Sequence, residues 1–530
     1  MVHLGIDFGT ANTRVSAFQG RGIPRALELA KGASISRYVM PSSCVVTGGS
    51  IEVGEGVLSR PGRLKFVKRF WQQRPEDRGR NPWGADGSQV IGGKTYTCEQ
   101  MVEAVIAEAI TRAFSVAGVD PSDGFTANVV SPVVFDLKSR SALKNILCNR
   151  GTQSVTLANV IDEPLASAVL YGRVATRPPV NKDLLVFDAG TGTVDLAIVR
   201  YEDRGGRRTI TVLAEQGRCR AGSDLDWALE KLILCKIAQS TGVERPELIY
   251  AAYDNDVAAG RVMFEEDCEQ RKLELSQVDS IRWTKQRFLG CEHIEFIVTQ
   301  DEFAQACRPI TDEIEGAVKG VLQEARCFVQ DFDGIDIAFL VGGTSKVPFI
   351  RRCVERHCGG AVFVKSEGYF DELLATVQGV GFIKDFEDLI IKRPPYTTEL
   401  RVTLLNGSTQ TVVIHQAFDK LYPFWQSFVV AVPYAEVKKE FESPIESVQV
   451  RFISPAGRIL SPSYEEFPDH CLSGERRISV RLDVQANLRI SGDRTTRTLR
   501  MPYFAQVGLV AVRPFSVRDL NIPDFPVDPG

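Results

Sequence analysis

Histidine is scarce in this chain, with five among 530 residues, and none sits in a nucleophile-like setting. Any chemistry therefore leans on carboxylates, lysine and backbone. No GxxxxGK[ST] run occurs, which excludes a P-loop. The twelve cysteines show no paired CxxC spacing and read as small buried hydrophobes of a reducing compartment. One cluster, "CVERHC", offers Cys353, His357 and Cys358 as metal-ligand types, but a partner cluster is missing, so it reads as a helix with half-buried thiols. No apolar stretch approaches the length of a membrane span. The start "MVHLGIDFGT" lacks the cationic segment and apolar core of a secretory leader. Both observations set the cytoplasm as the expected compartment. A net charge of -4 with 25% charged residues gives no electrostatic case for nucleic acid or an acidic membrane as the main partner.

What is present is a repetition. "LGIDFGTANTRVSAF" near the start and "LLVFDAGTGTVDLAIV" in the middle share one plan: apolar strand, Asp, one residue, Gly-Thr, and an alternating return strand. The spacing predicts a duplicated α/β domain with one hairpin per lobe and a site in the cleft between them. Lobe I is expected at about 1–182 and lobe II at about 183–384. The run from Thr97 to Gly118 has helical period. Gly222 to Phe288 reads as largely helical and charged, within an insertion at about 222–300. A strand in "GIDIAFLVGG" from Gly334 should precede a helix from about Pro348 to Cys358. Pro394-Pro395 marks a linker at 385–396. From 397 to 530 the texture is β-like: Asn406-Gly407 signals a hairpin, Ile478, Val480, Leu482 and Val484 alternate, "SPAGRIL" marks a turn, and the tail "NIPDFPVDPG" is broken by prolines.

A Gly-Thr turn exposes backbone N–H groups and a hydroxyl with no bulky side chain in front, which suits phosphate oxygens. The flanking carboxylates repel phosphate, so they should hold a bridging hard cation, Mg²⁺ with most of its waters. One such hairpin alone reads more simply as an ordinary β-turn. The pair, with Gly342-Gly343-Thr344-Ser345 between a buried strand and a helix start, favours a ligand.

The order of "GIDFGTANT", "FVKRF", "VVSPVVFDLKSRSALK", "VIDEPLASAVLYG", "FDAGTGTVDLAIV" and "FLVGGTSKVPFIRR" resembles the ATPase domain of the DnaK-type seventy-kilodalton heat-shock chaperones over residues 2–384. The resemblance implies a two-lobed actin-like (ribonuclease H-like) ATPase domain followed by a mainly-β domain. It also implies ATP/ADP and Mg²⁺ as ligands, with K⁺ as an accompanying cation, and hydrolysis coupled to polypeptide binding. On that resemblance Lys68 reaches the γ-phosphate and attacking water, and Glu163 positions water and metal. Asp7, Asp188 and Asp195 surround Mg²⁺ largely through water, while Thr10 and Thr193 lie near the phosphates. Gly9, Ala11, Asn12, Gly190, Thr191, Gly192, Gly222, Gly342, Gly343 and Thr344 line the nucleotide, and Glu269, Lys272 and Ser276 face it from one helix. Pro132, Arg140 and Asp388, the last opening the linker run "DLII", relay nucleotide state to the second domain. Taken without the family, Lys68 and Arg140 read as solvated charges, and Glu163 equally as a helix-start carboxylate.

The departures are specific. Ala11 stands where the family has a second threonine, and Thr191 where it usually has glycine. Two arginines that sandwich adenine in the family are Leu273 and Lys346 here, and a lysine cannot stack as a guanidinium plane does; Arg271 is the candidate substitute. Asn159 falls at the arginine that engages J-domain partners, which argues against a conventional J-domain partner. The helical lid of the family's substrate domain has no counterpart. The stretch "LYPFWQSFVVAV" lines a groove on one reading and forms a core strand on the other. Three functions follow: a lidless ATP-hydrolysing chaperone-like protein binding a polypeptide client, a nucleotide-sensing scaffold for one dedicated partner, and, least supported, a small-molecule kinase.

Overall fold

A computed structural model describes residues 2–18, 22–31, 36–58, 60, 62–71, 77, 81–120, 124–135, 137–148, 155–174, 181–204, 207–328, 332–364, 371–382, 390–391, 397–415, 435–453, 459–460, 472–482, 487–492 and 496–500. Two sheets built on one plan form the first part of the chain. In lobe I the order is Val155–Asp162, Phe125–Ser131, Val2–Phe8, Asn12–Phe18, Arg25–Ala26. In lobe II it is Val362–Phe363, Ile337–Val341, Lys182–Ala189, Val194–Arg204, Arg207–Arg218. Each sheet pairs two strands in parallel on one side of the hairpin's first strand and runs antiparallel on the other. The repetition read from the two hairpins is thus a repetition of topology. All seven residues of Val2–Phe8 are buried, as a central strand covered on both faces demands.

Helices fill the space around these sheets. Cys98–Ala117 begins under a reciprocal cap, the Thr97 hydroxyl accepting from Gln100 N–H and the Gln100 side chain accepting from Thr97 N–H, and it ends at Gly118. Its buried face, Met101, Val102, Val105, Ile106, Ala109 and Ala113, packs into the core of lobe I. A second core lies between the two sheets, where helices Glu163–Val174 and Ala375–Phe382 pack with Leu184, Val186, Val199, Phe339 and Val341. Helix Pro348–His357 follows the Gly342 turn as expected. Its Cys353 and Cys358 are fully rather than half buried, and His357 pairs with Glu315 instead of a metal-ligand partner. No helix among the described residues is long and apolar enough to cross a membrane.

The expectation of helix up to Phe288 fails at its end. After helices Gly222–Thr241, Pro246–Tyr253 and Val257–Leu275, residues Ser280–Phe288 form a strand paired with Cys291–Thr299. The reason was in the sequence: Ile281 and Trp283 are buried while Ser280, Arg282 and Thr284 are exposed, a period of two rather than 3.6.

Beyond the lobes the described residues form strands joined by turns, with no helix among them. Thr409–His415, Thr397–Leu404, Ile445–Ile453 and Ile459–Leu460 make one antiparallel sheet; Ala435–Glu440, Arg477–Leu482, Asn487–Ser491 and Thr496–Arg500 make another. The Asn406-Gly407 turn forms, with Asn406 Oδ1 accepting from Ser408 N–H. Ile478 and Val480 are buried on the alternating face. Ile390–Ile391, inside the expected linker, adds as a parallel edge strand to Ile210–Thr211 of lobe II. Asp388, Pro394-Pro395, Val484, the "SPAGR" turn, "LYPFWQSFVVAV" and the proline-broken tail lie outside the described residues.

Candidate active site

The two hairpin turns are built alike. Gly9 N–H donates to Asn12 O at 3.1 Å, and Gly190 N–H donates to Thr193 O at 3.0 Å. In lobe I, Ser42 braces the turn, its N–H donating to Ala11 O and its hydroxyl to Gly9 O. In lobe II, Gly222 N–H reaches Gly190 O, the Ser223 N–H and hydroxyl both reach Thr191 O, and the Thr344 hydroxyl reaches Gly190 O at 2.7 Å. The third glycine turn therefore locks onto the second. The hairpin tips face one another across the cleft, so that a Cβ on Gly192 would lie 2.3 Å from Thr10 Oγ1. Gly342, at φ 81°, approaches Ala189 O just as closely. Only glycine fits at both points.

Four carboxylates converge behind these turns. In register, Asp7 stands opposite Arg14 while Asp188 stands opposite Asp195. The first pair is an ion pair at 3.3 Å; the second sets two like charges side by side, unfavourable unless something offsets it. Lys68, from the short helix Val67–Trp71, donates to Glu163 at 2.6 Å with both groups buried. Its ammonium also lies 5.6 Å from the Phe8 ring centroid and 5.7 Å from that of Phe135. Asp188 is pushed up to about 8, first by burial and then by Glu163 and Asp7, with the Thr376 hydroxyl opposing at 3.0 Å. Burial also drives Asp195 well above the carboxylate range, with Glu163 adding and Thr193 opposing. Glu163 is raised because burial outweighs Lys68. Among the described residues no three such side chains are grouped closely enough to hold a metal ion directly, so a hard divalent cation here would be held largely through water and would favour the charged form of these carboxylates. The donor set and the glycine cradles fit magnesium and a polyphosphate.

A lobe I loop meets Asp195. Val133 N–H donates to Asp195 Oδ1 at 2.7 Å, and Arg140 binds the carbonyls of Pro132 and Phe135 and the carboxylate of Asp162. Farther out, the predicted base-binding helix is engaged within itself and its neighbours. Lys272 pairs with Asp226 at 2.5 Å, the Ser276 hydroxyl donates to Lys272 O, Arg271 pairs with Asp267 and Glu274, and Glu269 and Leu273 are exposed. Lys346 pairs with Glu372 at 2.8 Å. Asn159 lies in strand Val155–Asp162 opposite Asn128.

A protein-family model described as Hsp70 protein matches residues 81–366, more than half of the chain. The chain belongs to the Hsp70 family. Its fold is accordingly the two-lobed actin-like ATPase architecture followed by a β-rich C-terminal domain. This Hsp70-family chain is similar to the chaperone protein DnaK of Picrophilus torridus, 25% identical over 405 residues, covering 73% of this chain and 59% of that protein. DnaK of Thermoplasma acidophilum is 24% identical over 425 residues, covering 77% and 61%. DnaK of Thermus thermophilus is 26% identical over 383 residues, covering 67% and 57%. The Hsp70-family chain thus spans about six-tenths of the length of these curated relatives.

Three contributors escaped sequence reasoning. Thr376, on the returning helix, orients Asp188 and also bonds Ser167; nothing local marks it. Ser42 braces the first turn from a loop. Arg69, beside Lys68 in "FVKRF", bridges to Asp77, Ser223 and Asp224; its adjacency to the lysine was the available signal.

Proposed function

We propose that this chain is a magnesium-dependent ATPase of the chaperone type, whose nucleotide state gates polypeptide binding by the C-terminal β domain. The observation that carries the reading is the buried Lys68–Glu163 pair set among Asp7, Asp188 and Asp195 between two facing glycine turns. Magnesium bound there supplies charge neutralisation for the phosphates. The turns at Gly9–Asn12 and Gly190–Thr193, with Gly342 to Thr344, present N–H groups to the phosphate oxygens. Lys68 places positive charge where negative charge develops, and Glu163 holds that lysine and accepts from attacking water. The relay runs from Asp195 through Val133 and Pro132 to Arg140, and the strand Ile390–Ile391 offers the link to the β domain. In this reading residues 1–384 are the ATPase unit, 385–396 the linker with Asp388, and 397–530 the client- or partner-binding unit. It acts in the cytoplasm, without a conventional J-domain partner.

Single-turnover hydrolysis of ATP by the wild-type chain and Lys68→Ala tests it. A large loss in the variant is expected, and equal rates end the catalytic assignment.

A second reading rests on the base site. Lys346 is committed to Glu372, Arg271 to its own helix, and Leu273 is exposed, so none of these three positions offers a guanidinium plane to stack on adenine. That favours a nucleotide-sensing scaffold with slow hydrolysis and one dedicated partner. Recovery of a single stoichiometric partner, with no suppression of aggregation for varied unfolded clients, would favour the scaffold.

A further inference from the structure

Arg69 is buried, and every one of its five N–H groups has a partner. Nε and Nη2 donate to Asp77 Oδ1 at 2.9 and 2.7 Å; Nη1 donates to Asp224 Oδ2 at 2.7 Å and to Ser223 Oγ at 2.9 Å; Nη2 also reaches Asp224 Oδ1 at 3.0 Å. Its guanidinium lies over Trp227, 4.7 Å from the ring centroid. Asp77 belongs to lobe I, whereas Ser223, Asp224 and Trp227 open the lobe II helix Gly222–Thr241. The same Ser223 hydroxyl that accepts from Arg69 donates to Thr191 O at 2.9 Å. One unbroken path of hydrogen bonds therefore joins the helix carrying Lys68 to the turn that cradles phosphate.

The segment leading into that helix is itself held from across the cleft. Phe66 has a left-handed backbone, φ 59°, a conformation a bulky residue adopts at a cost. Its ring packs edge-on against Trp227 at 6.2 Å, and its carbonyl accepts from Arg69 N–H and Phe70 N–H. Opening the lobes would strip Arg69 of Asp224 and Ser223, and Phe66 of the ring that opposes it.

We propose that Arg69 is a positioning residue that makes the placement of Lys68 conditional on lobe closure, by bolting the lysine's helix to Ser223, Asp224 and Trp227 of lobe II. The proposal rests on the ATPase reading above. Bound nucleotide, held by both glycine turns, keeps the bolt shut; the shut bolt retains nucleotide, since coupling of two equilibria is reciprocal. A lysine cannot replace Arg69, because one ammonium cannot span both carboxylates as the planar fork does.

The test measures release of a fluorescent ADP and single-turnover ATP hydrolysis for the wild type, Arg69→Met, Arg69→Lys, Asp224→Asn, Ser223→Ala and the double variant Arg69→Met with Asp224→Asn. Release is expected to quicken about ten- to a hundredfold in Arg69→Met and Asp224→Asn, with Arg69→Lys no better than intermediate. The double variant should release no faster than the worse single one. A purely structural role would instead lower thermal stability equally with and without nucleotide and leave the release rate alone. Should Arg69→Met not fold, Asp224→Asn and Ser223→Ala, which keep the Arg69–Asp77 pair, carry the same comparison. A wild type that binds and hydrolyses while the variants release ADP at its rate, or a double variant whose effects simply add, overturns this role for Arg69 alone. A folded wild type without affinity for magnesium nucleotide overturns the ATPase reading and this inference together.

Discussion

Asp195 accepts a hydrogen bond from the backbone N–H of Val133 at 2.7 Å, so a carboxylate of lobe II holds a loop of lobe I. That loop runs from Pro132 to Phe135. Arg140 fixes it from the other side through the carbonyls of Pro132 and Phe135 and through Asp162, and the Phe135 ring flanks Lys68. On the proposed function, this loop is the path by which a change at Asp195 would reach the lysine.

Arg140→Ala removes the bonds to the Pro132 and Phe135 carbonyls together with the ion pair to the buried Asp162. Removing one side of a buried charge pair costs about 3–5 kcal/mol, so a clear fall in melting temperature is expected. Single-turnover hydrolysis should drop about tenfold through loosened Lys68, with nucleotide affinity changed less. Melting curves and rates on one preparation check both; an unchanged rate in a destabilised but folded variant would confine Arg140 to structure.

Lys68→Ala takes away the cation that meets Glu163 at hydrogen-bond distance. Loss of a charge preorganised at developing negative charge lowers a rate by about a hundred- to a thousandfold. Affinity for ADP should move only a few-fold, because on the proposed function the glycine turns hold the diphosphate. Calorimetry with ADP beside quenched-flow hydrolysis with ATP separates the two effects. A parallel loss of ADP binding would place Lys68 in ground-state binding instead.

Gly192→Ala inserts a methyl group 2.3 Å from Thr10 Oγ1 and 3.0 Å from its Cβ. Either the lobes part or the turn shifts, and both misplace phosphate. The expected result is a loss of nucleotide affinity of at least tenfold with melting temperature nearly unchanged, since the methyl meets the other lobe rather than its own core. Pairing it with Thr10→Ala, which removes the hydroxyl it strikes, should restore part of the affinity in a titration.

The sequence disclosed the plan of the fold because duplication writes itself twice. The strand–Asp–Gly-Thr–strand pattern at residues 4–18 and 184–199 announced matching sheets, and strand order confirmed two. Local signals with a physical cause were also readable: the helical period from Thr97 to Gly118, Asn406-Gly407 at a hairpin. Long-range partners were not. Thr376 meets Asp188 from 188 positions away, and Arg69 meets Asp224 from 155 away; neither spacing leaves a periodic trace. The strand at Ser280–Phe288 was missed for a different reason, since charged residues on its open face resemble a solvated helix unless the period is counted.

The last prediction concerns pH and lies away from the cleft. Helix Arg308–Phe328 packs on strand Arg207–Arg218 and brings Glu324 near Glu215. Burial, with the charge of Glu215 adding and a hydrogen bond from Gln216 opposing, pushes Glu324 up from its ordinary 4.5 to about 8. The unfolded chain ionises this group near its ordinary value, so between about 4.5 and 8 the folded state binds the extra proton. Stability contributed by the protonated group is complete below the unfolded value and lost as pH rises through the folded one. Glu324→Gln keeps a partner for Gln216 and carries no charge to bury. Its melting temperature should match the wild type near pH 4.5 and pull ahead as pH rises to 8, by several degrees, the full shift corresponding to about 5 kcal/mol. Above 8 the gap should stay constant. Scanning calorimetry of both chains at pH 5, 6.5, 8 and 9 decides it, and a gap that is already full at pH 5 would mean that Glu324 is ionised in the folded protein after all.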